Sequence, residues 1–516
     1  RWLENWRAIG AYNVSRPLLV FSYAWNFDRF GFEPWGYHAT NLAVHAAAVG
    51  TALAMVEAVG RVFGVTRPLA RAAAVVGLWA VHPMVTESVT YTTGRSETLC
   101  AAFAFAAVAA WARALEAERD GEAGWHLRGL GILAVVGAVA SKEVGGVVPG
   151  VLAVLEWTAL GAAGVTGRAR LLRARWAWLG VFVGLVAGAA AVRVAAVGQL
   201  LPREVERSLG VQLTTSAEVW RHYLRLWTVP VGQTLFHDQP DVSPASLRGA
   251  LAWLGWAAMV GAGVVVGRRR PVAGFALAAA GLTLVPSTSF VMLKEHMAEH
   301  RSYQAGLFLL AAVGLGLPPR AARPAGWLTL ALLPALVFAT RARNAVWGSE
   351  VALWAEATRR VPDSAEAWYG LGDAHRFAKA FDQAVVAYTR ASELDPDDLD
   401  TWNNLGIASA EVGDVDRARR AWKRALEVRP SYCKAHNNLG SLAYRYKEWE
   451  EARTELQSTL AYCPDDPIAH YLLGNIYYGP RREPERALVH YEKVVQFAPQ
   501  FDHIDLVKER ILELTW

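Results

Sequence analysis

A period of 34 residues constrains the last third of this sequence more than any other feature. Small and helix-terminating residues recur at this step, as Gly372, Gly406, Gly440 and Gly474 and as Pro396, Pro430 and Pro464. A period of this length indicates a helix pair that buries its apolar face only by stacking on its neighbours. The sequence therefore predicts an α-solenoid after about residue 345.

Within each period an aromatic residue precedes a Leu-Gly pair, Ala occupies close-packing positions of a second helix, and Pro ends that helix. This arrangement is typical of tetratricopeptide repeats. We expect repeats near 364–397, 398–431, 432–465 and 466–500, followed by a capping helix at 503–514. The last Pro-to-Pro step, Pro464 to Pro499, is 35 residues, which predicts a one-residue insertion in the turn at 479–482.

Solenoids of this kind usually bind an extended peptide on their concave face. Adjacent amides recur one period apart, as Asn403 and Asn404 and then as Asn437 and Asn438. They are candidates for pairing with the backbone of a bound protein, although Asn is also common here without any ligand. Cys433 opens the third repeat and Cys463 closes it, so the two pair in an oxidising compartment if their Cα atoms approach closely enough.

The first 345 residues have a different composition. They contain 31 Lys and Arg against 19 Asp and Glu, a net charge of +12, whereas the remainder has a net charge of −7. Long uncharged runs exclude a soluble cytosolic enzyme and predict an integral membrane domain at 1–345, with a soluble domain at 346–516. The Arg residues cluster between apolar runs, so no nucleic-acid partner is expected. Three Cys exclude a disulfide framework and a Cys-rich zinc module.

Ten runs predict membrane-spanning helices, near 38–60, 69–82, 98–115, 127–141, 144–161, 176–197, 249–267, 271–290, 303–318 and 325–340. A multi-spanning helix bundle followed by the solenoid makes the expected fold class all-α. If successive spans cross the membrane in alternating directions, four Arg clusters lie on the same side of it. The positive-inside rule identifies that side as cytoplasmic. We therefore expect a multi-pass protein of a bacterial inner membrane with its repeats in the periplasm. An eleventh helix upstream of Arg1 would give the intact protein a cytoplasmic start.

Polar residues gather at the non-cytoplasmic ends of the spans. They are Arg16, His38, Asn41, His45, His82, Glu87, Arg95, Glu97, Lys142, Glu143, Glu299, His300 and Arg301. Ionisable groups at membrane depth indicate a functional site. The alternatives are interfacial snorkelling for each Arg, ion pairs that only pack helices for each Glu, and hydrogen bonds between helices for His38 and His45.

The local strings are Arg16-Pro17-Leu18, His38 to His45, His82-Pro83-Met84-Val85-Thr86-Glu87, Thr93-Gly94-Arg95-Ser96-Glu97, Ser141-Lys142-Glu143 and Glu299-His300-Arg301. In this order, followed by repeats, they resemble the transmembrane and tetratricopeptide-repeat-containing (TMTC-like) protein O-mannosyltransferases. The resemblance implies a GT-C glycosyltransferase that moves a mannose-like sugar from a polyprenyl-phosphate carrier to a protein hydroxyl. Family members carry an acidic pair upstream of the Arg-Pro-Leu string, and none precedes Arg16 here.

Transfer from a lipid phosphate needs cations for the departing phosphate and a base for the acceptor hydroxyl. Arg95, Lys142, His300 and Arg301 are the candidate phosphate ligands. Glu87 and Glu143 are the candidate catalytic carboxylates, and the principal base is expected upstream of Arg1. Supporting roles are expected for Arg16, His38, His82 and Glu299. No metal-ligand set is assigned, and a divalent metal remains compatible with this chemistry.

Two other functions compete with this one. His296-Met297-Ala298-Glu299-His300 spells the inverted zinc-protease motif, which requires both His on one face of a helix. The second alternative is a non-enzymatic membrane scaffold that displays the repeats. It does not require charges at every non-cytoplasmic helix end.

Overall fold

A computed structural model describes residues 16–163, 207–235, 237, 239–288 and 296–515, together with 180, 184, 187 and 188. The described residues form helices and no strands, which confirms the all-α prediction. The chain separates into two compact units, residues 1–349 and residues 350–516.

The described helices of the first unit are α1 (Pro17–Phe30), α2 (Pro34–Val62), α3 (Pro68–Ala80), α4 (Thr86–Thr90), α5 (Arg95–Arg119), α6 (Trp125–Ser141), α7 (Val148–Ala162), α8 (Leu209–Thr228), α9 (Leu247–Arg269), α10 (Pro271–Thr288), α11 (Tyr303–Gly316) and α12 (Pro319–Trp347). Short 3₁₀ helices at Pro83–Val85, Thr92–Gly94, Glu143–Val147 and Glu299–Ser302 connect several of them. Helix α5 is the centre of this unit, because it packs against both α2 and α6 along its length.

Five described helical segments are long and apolar enough to cross a membrane, namely Pro34–Val62, Thr92–Arg119, Glu143–Ala162, Leu247–Arg269 and Pro319–Trp347. The pair Pro68–Ala80 and Pro83–Thr90 meets the same test as one segment bent by 62°. The runs expected at 127–141, 271–290 and 303–318 form helices of 17, 18 and 14 residues. Of the run expected at 176–197, the structure describes only residues 180, 184, 187 and 188.

The second unit consists of α13 (Glu350–Arg360), α14 (Ala365–Phe377), α15 (Phe381–Leu394), α16 (Leu399–Val412), α17 (Val415–Val428), α18 (Cys433–Arg445), α19 (Trp449–Tyr462), α20 (Pro467–Tyr478), α21 (Pro484–Phe497) and α22 (Ile504–Thr515). From α14 to α21 the helices pair as the 34-residue period predicts. The turn between α20 and α21 spans residues 479–483, where the insertion was expected.

The periodic glycines let the two helices of each pair approach closely. A Cβ added at Gly372 would meet Tyr388, and one added at Gly406 would lie 2.3 Å from Trp422 Nε1. In each case the ring comes from the following helix, 16 residues later in the chain. The glycine therefore makes room for a large side chain of the second helix.

Cys433, the first residue of α18, forms a disulfide with Cys463, the residue after α19. Their Cα atoms lie 6.1 Å apart. The pairing that the sequence left open is therefore present and closes the third repeat. Cys100, the third cysteine of the chain, is buried in the first unit.

Gly406→Ala tests the helix contact directly. Alanine ordinarily stabilises a helix interior by about 1 kcal/mol relative to glycine. Here we expect the opposite sign, a loss of about 1–3 kcal/mol in the free energy of unfolding of residues 350–516, because the methyl group overlaps Trp422. Denaturant unfolding measures the change. Glu411→Ala, at an exposed position of the same helix, is the control. A more stable Gly406→Ala variant would contradict this packing.

Candidate active site

Short segments between helices, rather than long helices, carry most of the predicted site residues. The chain breaks after α3, forms the turn at 83–85 and α4, and breaks again before α5. Gly94 closes this path, since a Cβ there would lie 2.7 Å from the carbonyl oxygens of Glu87 and Ser88. The tight turn brings Glu87 and the first residues of α5 to the same end of the helices.

Glu87 and His300 form the best-defined contact at this end. The His300 ring nitrogen Nδ1 lies 2.6 Å from Glu87 Oε1, and the His300 backbone N–H donates to Glu87 Oε2 at 2.9 Å. Glu87 is 4% exposed, whereas the His300 side chain is 24% exposed. Both carboxylate oxygens thus hold one histidine whose side chain is partly exposed.

Glu299, on the same 3₁₀ turn as His300, points to a different partner. Its Oε1 accepts hydrogen bonds from the backbone N–H of Thr234 at 2.8 Å and from His237 Nε2 at 3.0 Å. Both Glu299 and His237 are buried. Glu299 therefore anchors the loop after α8 to this turn, and a supporting role for it in catalysis stays a prediction.

His82 is buried and stacks on Trp227 with ring centroids 4.5 Å apart. Trp227 Nε1 donates to Ser302 Oγ at 3.0 Å, and the ring occupies the space that a Cβ at Gly306 would need. His82 Nδ1 accepts the Met84 backbone N–H at 3.2 Å. This histidine positions the turn at 83–85 against α8.

Two ion pairs join α6 and the following turn to other elements. Lys142 Nζ pairs with Glu97 of α5, and both side chains are mostly buried. The next residue, Glu143, pairs with Arg16 through contacts of 2.8–3.0 Å, and these two side chains are about one-third exposed. Two adjacent residues of the chain therefore take part in one mostly buried ion pair and one more accessible ion pair.

Arg95 is fully buried, and its guanidinium is occupied by protein groups. Its Nε donates to Asn41 Oδ1 at 2.6 Å, and its terminal nitrogens donate to Ser22 and to the Tyr37 carbonyl oxygen. It also lies 4.6 Å from the ring centroid of Tyr23. These contacts give Arg95 a positioning role between α1, α2 and α5, and phosphate binding by it stays a prediction.

The remaining predicted residues differ in setting. Arg301 follows His300 on the 3₁₀ turn and is half-buried. His38 is exposed on α2, whereas His45 of the same helix is buried and its Nδ1 lies 2.6 Å from the Tyr303 hydroxyl. His45 therefore connects helices, as the alternative interpretation expected, and His38 lies outside this contact network.

The zinc-protease hypothesis required a helix at 296–300, and that expectation is wrong. Residues 296–298 are not helical, and the 3₁₀ turn begins only at Glu299. His296 Nε2 contacts Asp241 at 2.7 Å and its Nδ1 contacts Arg207 at 3.1 Å, whereas His300 faces Glu87. Burial lowers the pKa of His296. The described residues contain no cluster of three His, Cys, Asp or Glu able to hold a metal.

Sequence reasoning missed His237, Thr234 and Trp227, because they come from a polar loop and a helix end outside the recognised strings. Asn41 was noted only as polar. The structure makes it the link between Arg95 and the backbone, since its Nδ2 donates to the carbonyl oxygens of Val89 and Tyr91 at 3.2 Å. The available signals were a tryptophan at the end of α8 and a histidine in the loop that follows it.

In the repeats, the four predicted asparagines form contacts with one another and with neighbouring repeats. Asn438 donates to Asn403 Oδ1 at 2.8 Å, Asn403 donates to Asn404 Oδ1 at 3.1 Å, and Asn404 donates to Asp373 and Tyr369. We call Asn438, Asn403, Asn404 and Asp373 the amide ladder. Burial, followed by Asp373, raises the pKa of Tyr369 to about 12, so its hydroxyl stays protonated beside the ladder.

Asn437 stands outside the ladder and donates to Asp466 of the next repeat at 2.9 Å. All four asparagines thus link successive repeats. Asn403 is buried, and the other three are partly exposed. Peptide binding by these residues stays a prediction, and any ligand would reach only the edges that the ladder leaves accessible.

Asn403→Ala removes the central member of the ladder. It leaves the amides of Asn404 and Asn438 each short of one partner, and we expect a loss of about 1–3 kcal/mol in the free energy of unfolding of residues 350–516. Denaturant unfolding checks the value, again against Glu411→Ala. Unchanged stability would mean that water replaces the ladder without cost.

Family models described as tetratricopeptide repeat match residues 365–398 and 403–467. The chain contains tetratricopeptide repeats. Among solved structures, one similar protein is YrrB, a TPR protein with an unusual peptide-binding site, which is 19% identical to this chain. The match covers 31% of this chain and 81% of YrrB, with a TM-score of 0.27. TTC0263, a thermophilic TPR protein of Thermus thermophilus, is 21% identical, covering 34% of this chain and 94% of that chain, with a TM-score of 0.28.

Among curated proteins, human protein O-mannosyl-transferase TMTC4 (Homo sapiens) is 31% identical over 161 residues. The match covers 28% of this chain and 21% of that protein. The chain therefore aligns with about a fifth of the length of this relative. The similarity supports a relationship to proteins of this type. It does not assign the activity of the whole relative to this chain.

Proposed function

We propose that this chain is an integral-membrane glycosyltransferase that moves a mannose-like sugar from a polyprenyl phosphate to a Ser or Thr hydroxyl of a protein acceptor. The observation that carries the proposal is the clustering of Glu87–His300, Glu299–His237 and Lys142–Glu97 at turns between apolar helices. The similarity to protein O-mannosyl-transferase TMTC4 and the presence of the repeats support it.

A lipid-linked donor suits this setting. Its chain remains among the apolar helices, while its phosphate and sugar reach the polar turns at their ends. Burying charges is costly unless function or pairing compensates, and this end of the helices holds one buried ion pair and several buried hydrogen-bonded groups. A scaffold that only anchors repeats does not require this arrangement.

In the proposed reaction Lys142 and Arg301 bind the phosphate of the donor. Lys142 uses one of its three N–H donors for Glu97, and that pair fixes its position while leaving the other donors for phosphate oxygens. The guanidinium group of an arginine such as Arg301 has the geometry for a bidentate contact with a phosphate. Arg16 and Glu143 form the more exposed ion pair, and we assign no phosphate contact to them.

The repeats would bind the acceptor protein. Their first helices carry the partly exposed amides of Asn404, Asn437 and Asn438, and the first of these lies beside the hydroxyl of Tyr369. Such groups pair with the backbone of an extended peptide and leave its Ser and Thr side chains free. Recognition and chemistry would then lie in different units of the chain.

Arg301→Ala tests the phosphate contact. We expect sugar transfer to fall by about 100- to 1000-fold, because a donor aimed at developing charge is lost. The measurement is transfer of labelled mannose from undecaprenyl-phosphate mannose to protein by the purified full-length protein in lipid nanodiscs. Arg221→Ala, at a residue whose side chain is 65% exposed on α8, is the control and should behave like wild type. Near-normal transfer by Arg301→Ala would contradict this role, and no transfer by the wild type would favour the scaffold.

The side of the membrane can be tested with single cysteines. We propose that the repeats face the periplasm, and the disulfide between Cys433 and Cys463 fits an oxidising compartment. Val386→Cys, at a residue 67% exposed on α15, should react with an impermeant maleimide in intact spheroplasts. Glu122→Cys, between α5 and α6, should react only after permeabilisation. The reverse pattern would place the repeats in the cytoplasm.

A further inference from the structure

We propose that Gln233 is a specificity-determining residue of the donor site, and that its side-chain amide donates a hydrogen bond to a hydroxyl of the transferred sugar. The inference rests on the proposed function and deepens it, because it assigns recognition of the sugar to a residue of the loop after α8. No phosphate contact and no proton transfer are assigned to Gln233.

The amide group of Gln233 is buried without a partner. The residue is 6% exposed, and its Nε2 makes no hydrogen bond to any group in the described part of the chain. Buried amide donors are nearly always paired, and an unpaired one costs stability because its hydrogen bonds with water are lost. An apolar side chain of similar size would fill this position without that cost. The amide therefore needs a partner that the described residues do not supply, either a ligand hydroxyl or an ordered water.

The loop that carries Gln233 is fixed on both sides of this residue. Val231 is 64% exposed, whereas Gln233 and Thr234 are buried, so the chain turns inward at Gly232. Gly232 has a φ angle of 93°, a left-handed conformation that favours glycine. One residue after Gln233, the backbone N–H of Thr234 donates to Glu299 Oε1 at 2.8 Å. The protein itself thus sets the backbone position of Gln233, and a ligand need not order it.

This placement brings Gln233 close to the turn that carries a proposed phosphate ligand. Its carbonyl carbon is bonded to the Thr234 nitrogen, so standard bond lengths place its Cα within about 5 Å of Glu299 Oε1. His237, further along the loop, contacts the same oxygen at 3.0 Å. Arg301 follows Glu299 by two residues on the same 3₁₀ turn. Because the sugar of the donor is bonded directly to its phosphate, a side chain beside this turn is close to the sugar hydroxyls.

The chemistry of an amide suits a sugar hydroxyl better than a phosphate. A glutamine side chain has donor N–H groups, an acceptor oxygen and no charge, and a hydroxyl is likewise both donor and acceptor. A phosphate is bound mainly by cations, which in the proposed function are Lys142 and Arg301. A site with a buried group that pairs with a substrate hydroxyl rejects substrates that lack this hydroxyl, because the group is then left unpaired. Gln233 therefore discriminates between sugars that differ at one hydroxyl.

The test uses the full-length protein in nanodiscs, with undecaprenyl-phosphate mannose as the parent donor and its analogues that each lack one sugar hydroxyl. Gln233→Met removes the amide at nearly constant size. We expect its kcat/KM for the parent donor to be about 10- to 100-fold below that of the wild type. The penalty for removing one particular hydroxyl should shrink by a similar factor in the variant, because the two changes remove the same contact. Comparison of the two proteins cancels differences in the intrinsic reactivity of the donors.

Two further measurements separate sugar recognition from a structural role. Inhibition by undecaprenyl phosphate, which has no sugar, should be the same for Gln233→Met and the wild type, because the phosphate ligands are intact. The melting temperature of Gln233→Met without donor should equal or exceed that of the wild type, because an unpaired amide is removed.

The matched control is Gln212→Met, at a residue 3% exposed whose Oε1 accepts a hydrogen bond from Arg207 at 2.9 Å. This variant loses a hydrogen bond that the protein makes, so its melting temperature should fall. Its preference among the donors should stay that of the wild type.

Four results would overturn the assignment. The first is a Gln233→Met variant that retains every penalty of the wild type for a missing hydroxyl, which leaves the proposed function standing. The second is a lowered melting temperature of Gln233→Met with unchanged donor preference, which assigns the amide to an ordered water. The third is a wild type that uses every analogue as well as the parent donor, a result that needs no variant. The fourth is absence of transfer by the wild type from any of these donors, which refutes the proposed function itself.

Discussion

The packing of the first unit depends on the hydrogen bonds made by one fully buried guanidinium, that of Arg95. Removing a cation from water is costly, so Arg95 stays buried only while its donors find acceptors in the protein. Its hydrogen bonds go to Asn41, Ser22 and Tyr37, and the ring of Tyr23 covers one face. Those partners lie on α1 and α2, whereas Arg95 is the first residue of α5. One side chain thus fixes three helices at the end where the candidate site lies.

The same end of α5 organises the site through its next residues. Glu97 holds Lys142 from the turn after α6, and Cys100 accepts a hydrogen bond from Gln304 of α11 at 3.5 Å. Gly94 lets the chain fold back so that Glu87 meets His300. The charged groups are therefore positioned by breaks in helices, where backbone and side-chain donors are available to one another.

The repeats are held together by a different set of contacts. Their helices approach closely because Gly372 and Gly406 lie under aromatic rings, and their successive pairs are joined by the amide ladder through Asn403 and Asn404. Polar residues that a single repeat would leave unsatisfied thus find partners in the next repeat. Much of the amide surface is already engaged in these contacts, so only part of it is accessible to a ligand.

The sequence by itself determined the helical class, the pairing of helices in the repeats, their glycine contacts and the turn with the insertion, because these follow from spacing along the chain. It also identified Glu87, Lys142, Glu299 and His300, since charges next to apolar runs are conspicuous. Only the tertiary structure decided their partners. Glu87 meets His300, His237 meets Glu299, and neutral acceptors enclose Arg95. Residues 296–298 are also not helical. Each of these facts depends on segments that are far apart in sequence. Spacing fixes which residues share a helix face, whereas contacts between separate segments depend on which helices pack together and where each helix ends.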